Sequence, residues 1–171
     1  MAIFSSSELL EIALGIERNG VAYYSSLAEL ATDASLKDTY NHLAAMEREH
    51  IKIFQEMLNT AGKYQPPYAG EAAEEYEQYL EALVNSTVFT DDKVARQMAQ
   101  KAAGPAEAIQ LALGAEKDSI LFYNEMRDLV PKQDRPVIDK IINEERSHMR
   151  QLVSLKKEFV HKGGQKCSSR K

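Results

Sequence analysis

Apolar residues along this chain recur in alternating steps of three and four, the spacing that lines one face of a packed α-helix. Four long segments carry the pattern. The first runs Leu10, Ala13, Glu17, Gly20, Tyr24, Leu27, Ala31, and the second Leu36, Tyr40, Leu43, Glu47, His50, Phe54, Met57. The third is Ile109, Ala112, Glu116, Ser119, Tyr123, Met126, Val130. The fourth is Ile138, Ile141, Glu145, His148, Leu152, Leu155, Phe159. Strand-like alternation is absent. Every one of the four apolar faces is interrupted by a glutamate, and two of them also by a histidine three residues later.

Capping and breaking residues bound the segments. "SSSE" offers N-caps for a first helix over 7–31, and "TDAS" interrupts it. A second helix is predicted over 36–60, stopped by Gly62. Proline and glycine in "KYQPPYAG" predict a loop. Two shorter helical pieces follow, "EAAEEYEQYLEALV" and "DDKVARQMAQKAA", separated by "NSTVFT" with Thr90 as an N-cap. Gly104 and Pro105 open a third long helix that ends before Pro131. Asp134 can cap a fourth, which the glycine pair at 163–164 ends near His161. The predicted organisation is one all-α domain over 1–171. It has a hairpin at 7–62, a crossover at 63–104, a second hairpin at 105–162 and a polar tail at 163–171. Short loops make antiparallel neighbours, so this is a four-helix bundle with one long crossover.

The two hairpins are copies of each other. "IALGIERNGVAYYSSL" (Ile12 to Leu27) aligns without a gap on "LALGAEKDSILFYNEM" (Leu111 to Met126), and "LAAMEREHIKIF" (Leu43 to Phe54) on "IINEERSHMRQL" (Ile141 to Leu152). Glu, Gly and Tyr coincide in the first pair, and Glu, Arg and His in the second.

Composition adds exclusions. The 171 residues are 44% hydrophobic and 27% charged, with net charge −5. This is an ordinary globular composition with no basic stripe for nucleic acid outside the short tail. No apolar run is long enough to span a membrane. The N-terminal stretch lacks a basic leader and meets acidic residues early, which predicts no signal peptide and a cytoplasmic location. The single cysteine, Cys167, reads as an incidental tail thiol that excludes a thiolate metal site. His42 and His161 fall off the apolar faces and read as surface residues. The acidic run "EAAEEYEQYLE" reads as the solvated face of a crossover helix, with Glu74, Glu77 or Glu81 the alternative source of a further ligand.

Charge is what makes the buried glutamates informative. Burying one unpaired charge costs several kcal/mol, against a total domain stability of about 5–15 kcal/mol. Four such carboxylates share these faces, while Arg18, Arg48, Lys117 and Arg146 each lie one residue off them. Either the carboxylates protonate in part or they hold about two divalent cations. Two M²⁺ against four carboxylates and two neutral imidazoles bring the net charge near zero. The i, i+3 spacing lets a Glu and a His of one turn converge on one ion, and Gly20 and Ser119 leave space for the metal and a small ligand.

One Glu from each of two helices, plus Glu-x-x-His from each of the other two, is the pattern of ferritin-like di-iron and di-manganese carboxylate proteins. Over both halves the chain resembles the rubrerythrin and ferritin-like superfamily. The resemblance implies a ferritin-like bundle with Glu17 and Glu116 as single-glutamate ligands. It pairs Glu47 with His50 and Glu145 with His148, each of these glutamates bridging the metals and each His capping one ion. Tyr24 and Tyr123, seven residues after their glutamates, resemble family tyrosines hydrogen-bonded to ligand carboxylates; core packing is the alternative. Two Fe ions are the implied cofactor, with Mn or Zn possible.

The implied activity is reduction of hydrogen peroxide or dioxygen in oxidative-stress protection. The alternatives are a ferroxidase or iron-handling protein and a non-catalytic, metal-stabilised interaction module. Full-length rubrerythrins carry a rubredoxin-like domain with four cysteines; this chain has one cysteine. A separate electron donor, such as a rubredoxin-like protein, is therefore expected, and a homodimer is the expected assembly. Rubrerythrin has Glu rather than His at the place of His148, and a further Glu where this chain has Ser119. That brings the ligand set closer to bacterioferritin or short rubrerythrin-like proteins and puts in doubt the ligand exchange associated with rubrerythrin peroxide reduction.

Overall fold

The computed structural model describes the backbone of residues 6–60 and 71–168, and the side chains of 7–60, 74–76 and 78–158. Six helices follow in order: α1 (Ser6–Leu30), α2 (Ala34–Thr60), α3 (Glu71–Asn85), α4 (Asp92–Lys101), α5 (Pro105–Leu129) and α6 (Arg135–Ser168). No strand occurs among the described residues, and none of the described helices is long and apolar enough to cross a membrane.

Helix ends follow from local chemistry, with three departures from the predicted bounds. Asp33 caps α2: its carboxylate accepts from the Leu36 amide at 3.2 Å and its carbonyl from the Lys37 amide at 3.0 Å, so the helix starts before Leu36. Asp91, not Thr90, caps α4. Its backbone is extended and its carboxylate accepts from the Val94 amide at 2.8 Å. Both residues are good caps, and the one directly before the first helical turn takes the role. At the other end of the chain, α6 runs through Gly163 and Gly164 to Ser168 rather than stopping near His161. A glycine costs a helix about 1 kcal/mol but keeps the amide that proline would remove. The start of α5 matches expectation. Gly104 has φ +156°, a conformation open in practice to glycine only, and Pro105 occupies the first helical position.

α1 packs along α2 and α5 along α6, while α4 lies against α1 and α3 against α5. The four apolar faces meet in the middle. Of the residues in those four series, Gly20, Ala31 and Met57 are half-buried and the other described ones are buried; the side chain of Phe159 lies outside the described residues. Arg18, Arg48, Lys117 and Arg146 are exposed, as their positions one step off the faces require. The apolar core forms two clusters. Tyr23, Tyr24, Leu27, Tyr40, Leu43 and Ile109 belong to one, and Leu10, Phe54, Phe122, Met126, Ile138 and Ile141 to the other. Each large side chain buried there contributes about 1.5–3 kcal/mol. On every long helix the polar interruption falls between the two clusters, so a charged layer is held between two apolar plugs.

Candidate metal centre

That layer contains Glu17, Glu47, His50, Glu116, Glu145 and His148, none more than 4% exposed. The structure brings all six of the predicted positions together. They form two overlapping groups, Glu17–Glu47–His50–Glu145 and Glu47–Glu116–Glu145–His148. Within each group, one donor atom per residue lies within 4.8 Å of the others. Glu47 and Glu145 belong to both. His50 Nδ1 lies 3.4 Å from Glu17, 3.2 Å from Glu47 and 3.0 Å from Glu145. His148 Nδ1 lies 3.5 Å from Glu47, 3.5 Å from Glu116 and 2.9 Å from Glu145. The two imidazole rings are stacked with centroids 5.8 Å apart.

His50 Nδ1 is hydrogen-bonded to Glu17, but most of the other close approaches are not satisfied hydrogen bonds. Glu47 Oε2, both oxygens of Glu145 and both ring nitrogens of His148 are buried with no hydrogen-bond partner. Buried polar atoms are nearly always paired, so a cluster of orphans converging on two points fits a pair of cations. The donor set of carboxylates and imidazoles without thiolate suits iron or manganese, and zinc is tolerated.

The two tyrosines are positioned crosswise. Tyr24 on α1 donates to Glu116 Oε1 on α5, and Tyr123 on α5 donates to Glu17 Oε1 on α1. Each phenol takes one carboxylate oxygen and leaves the other facing an imidazole. Burial, then the nearby carboxylates, pushes both phenol pKa values well above the usual range. They therefore remain neutral donors. Gly20 has a spatial role: a Cβ there would come within 3.1 Å of Glu47 Cγ, so glycine lets this carboxylate lie against α1.

The sequence profile of the rubrerythrin family matches residues 8–156. The chain belongs to the rubrerythrin family. Its bundle is similar to the crystal structure of a Thermotoga maritima protein described as a ferritin-like diiron-carboxylate protein, with TM-score 0.66 and 26% identity. The likeness covers 92% of this chain and 98% of that one. Among curated proteins none matches. A buried carboxylate and histidine cluster in a rubrerythrin-family, ferritin-like bundle fits a di-metal site.

Within this rubrerythrin-family chain, the crossover contributes no described ligand. Glu74 and Glu81 are exposed, and the Glu77 side chain lies outside the described residues. His42 is exposed; the side chains of His161 and Cys167 lie outside the described residues. One residue at the site was not read from the sequence. Glu144 reaches His50 Nε2 at 3.1 Å and is itself approached by Lys140 at 3.6 Å. The repeat places Met46 at the matching position, and His148 Nε2 has no partner. A carboxylate behind a ligand imidazole fixes its tautomer and raises its basicity. Glu144→Gln is therefore expected to weaken one of two ions about 10–100-fold and leave the other nearly unchanged. Competition titration against a chelator resolves the two affinities. Equal weakening of both ions would contradict the asymmetry.

Proposed function

We propose that this protein holds two iron ions and reduces hydrogen peroxide, with dioxygen as the slower oxidant, as part of oxidative-stress protection. The observation that carries this reading is the sharing of Glu47 and Glu145 between the two ligand groups. Glu47 and Glu145 would hold the two ions together, and an iron pair bound there would supply two electrons. One hydrogen peroxide takes two electrons and two protons and leaves as two waters. A separate electron donor of the rubredoxin class then restores the electrons.

The chain's own residues do the rest. Glu17 with His50, and Glu116 with His148, complete the two ends of the site, while Glu47 and Glu145 span it. Tyr24 and Tyr123 hold Glu116 and Glu17 by one oxygen each and keep their phenol protons beside the reacting layer. The apolar clusters on either side limit water. The diiron-carboxylate description of the Thermotoga maritima protein supports the choice of iron.

The test is anaerobic loading with Fe(II), then parallel mixing with hydrogen peroxide and with dioxygen, following metal stoichiometry and Fe(III) absorbance. Two ions per chain and faster oxidation by peroxide are expected. Faster reaction with dioxygen and accumulation of many irons per chain would instead point to a ferroxidase. One slow oxidation without turnover would point to a structural metal site. Failure to bind about two ions would sink the reading altogether.

A further inference from the structure

The turn that joins α3 to α4 crosses the bundle directly over the site. Both of its ends are anchored. Thr87 donates to the Val84 carbonyl at 3.1 Å, at the end of α3. Phe89 is buried with its ring 4.5 Å from that of Tyr23, whose hydroxyl donates to the Ala108 carbonyl at 2.8 Å. Between these anchors two side chains clamp the turn from below. Asn19 Nδ2 donates to the Phe89 carbonyl at 3.0 Å, and Asp118 Oδ2 accepts from the Val88 amide at 2.8 Å. Asn19 and Asp118 occupy equivalent positions in the two halves of the repeat. Each immediately precedes the small residue, Gly20 or Ser119, that opens space beside the carboxylates. Val88 sits so close to α5 that a Cβ on Gly114 would lie 3.0 Å from its Cγ2.

Beneath the turn is a half-open pocket of about 30 Å³, lined by Gly20, Tyr24, Glu47, Glu116, Ser119 and Val88 among others. It touches Glu47, whose Oε2 is buried and unpartnered. A single water needs roughly 10–15 Å³ measured this way. The cavity therefore holds about two waters, or one molecule of two heavy atoms. A tert-butyl group is several times too large. Widening the space would require the turn to lift, and lifting it breaks two hydrogen bonds to partly buried groups.

We infer that the Thr87–Phe89 turn, clamped by Asn19 and Asp118 over the gap at Gly20 and Ser119, is a size filter that admits hydrogen peroxide to the metal site and excludes alkyl hydroperoxides. The inference rests on the proposed reading of the centre and names the substrate class it accepts. Val88 sets the width of the opening, and Asp118 and Asn19 are positioning residues that keep it closed.

The test uses the Fe(II)-loaded full chain and the variants Val88→Ala, Asp118→Ala and Asp118→Asn. Two rates are measured: oxidation by hydrogen peroxide against tert-butyl hydroperoxide, and iron extraction by the bulky chelator 2,2′-bipyridine. In the unaltered protein peroxide should react at least ~100-fold faster than the alkyl hydroperoxide. Val88→Ala and Asp118→Ala should each raise the ratio of alkyl to hydrogen peroxide rates by ~10-fold or more and speed extraction by a similar factor. Asp118→Asn, which keeps an acceptor for the Val88 amide, should behave close to the parent. Amide exchange at Val88 should speed up in Asp118→Ala alone among the Asp118 variants, which reads the clamp without any metal chemistry. Similar rates for both hydroperoxides in the parent overturn the filter, and so does an extraction rate that neither opening variant raises. If neither hydroperoxide reacts but the variants speed extraction, the gate stands and the proposed oxidant falls.

Discussion

Metal loading near neutral pH is expected to release about four protons per pair of ions, and to raise the melting temperature more as pH increases. The reason lies in how the metal-free site balances its charge. Burial, then the charges of Glu47 and Glu145, pushes Glu17 well above the usual carboxylate range. Burial, then Glu145 and Glu47, does the same to Glu116. Burial also acts upward on Glu47 and Glu145, but the two imidazoles outweigh it and both carboxyls lie below the usual range. Burial acts downward on the histidines and is outweighed by the carboxylates. His148 is pushed up to about 12, and His50 is raised in the same sense. These directions favour two carboxylates, two carboxylic acids and two imidazolium ions in the metal-free protein, a set whose net charge would be zero. Two M²⁺ ions with four carboxylates and two neutral imidazoles also sum to zero. The metals replace four protons, about two for each ion. While those protons are present, affinity should rise by roughly 100-fold per ion for each pH unit.

The sign for folding runs the other way without metal. The histidines are raised above their usual 6.5, so their contribution is complete below that pH and is lost as pH climbs toward the folded value. Glu17 and Glu116, raised above 4.5, lose stability in the same direction. Glu47 and Glu145 are lowered, so their contribution is present above 4.5 and is lost as pH falls. The metal-free protein should thus melt highest near pH 4.5 and soften as pH rises, more steeply once it passes 6.5. The loaded protein has already shed these protons and should not. Metal at 1,000 times its Kd contributes about 4 kcal/mol per site, or roughly 8–16 °C at this chain length. Melting curves from pH 5 to 9, with and without Fe(II) or Mn(II), check this. A gap between the two curves that narrows with rising pH would show that the protonation pattern is wrong.

The residues that face the centre were legible in the sequence because helix periodicity translates directly into facing. Glu47 and His50 occupy apolar positions of their series, whereas Arg48 and Glu49 do not, and burial divides them the same way. The repeat multiplied the signal, since an accidental Glu-x-x-His is not expected to recur with matching partners. What periodicity cannot convey is contact made by a residue one step off the face. Glu144 is half-buried and reaches His50 across a helix interface; only the doublet in "NEERSH" hinted at it. The crossover turn was hidden for a different reason. Its path over the bundle depends on long-range bonds from Asn19 and Asp118 and on Phe89 packing against Tyr23, none of which has a period. The asparagine and aspartate at matching repeat positions were a usable clue, because a polar residue beside a small one faces whatever lies over the gap.

Glu145→Ala and Glu47→Ala are expected to empty the site of both ions, whereas Glu17→Ala and Glu116→Ala should each lose mainly one. The difference follows from membership: Glu47 and Glu145 belong to both groups that could hold an ion, Glu17 and Glu116 to one each. The same substitutions should separate in the metal-free protein. Glu145 is the closest carboxylate to both imidazoles, at 3.0 Å from His50 and 2.9 Å from His148. Removing it leaves buried imidazolium ions short of a counter-charge. Breaking a buried pair in this way costs about 3–5 kcal/mol, which lowers the melting temperature by roughly 6–20 °C. Burial and the neighbouring carboxylates push Glu17 and Glu116 toward the protonated form in the metal-free protein, so their removal takes away a tyrosine partner rather than a counter-charge, and the cost should be smaller. Metal content by elemental analysis and melting of the stripped protein give the two rankings independently. Should Glu17→Ala empty the site as completely as Glu145→Ala, with equal loss of stability, the assignment of Glu145 as the shared ligand would be wrong. A variant with both histidines, Glu47 and Glu145 replaced by leucine gives a further contrast. It should bind no metal yet regain stability over Glu145→Ala, because apolar side chains of similar size leave no uncompensated charge in the layer.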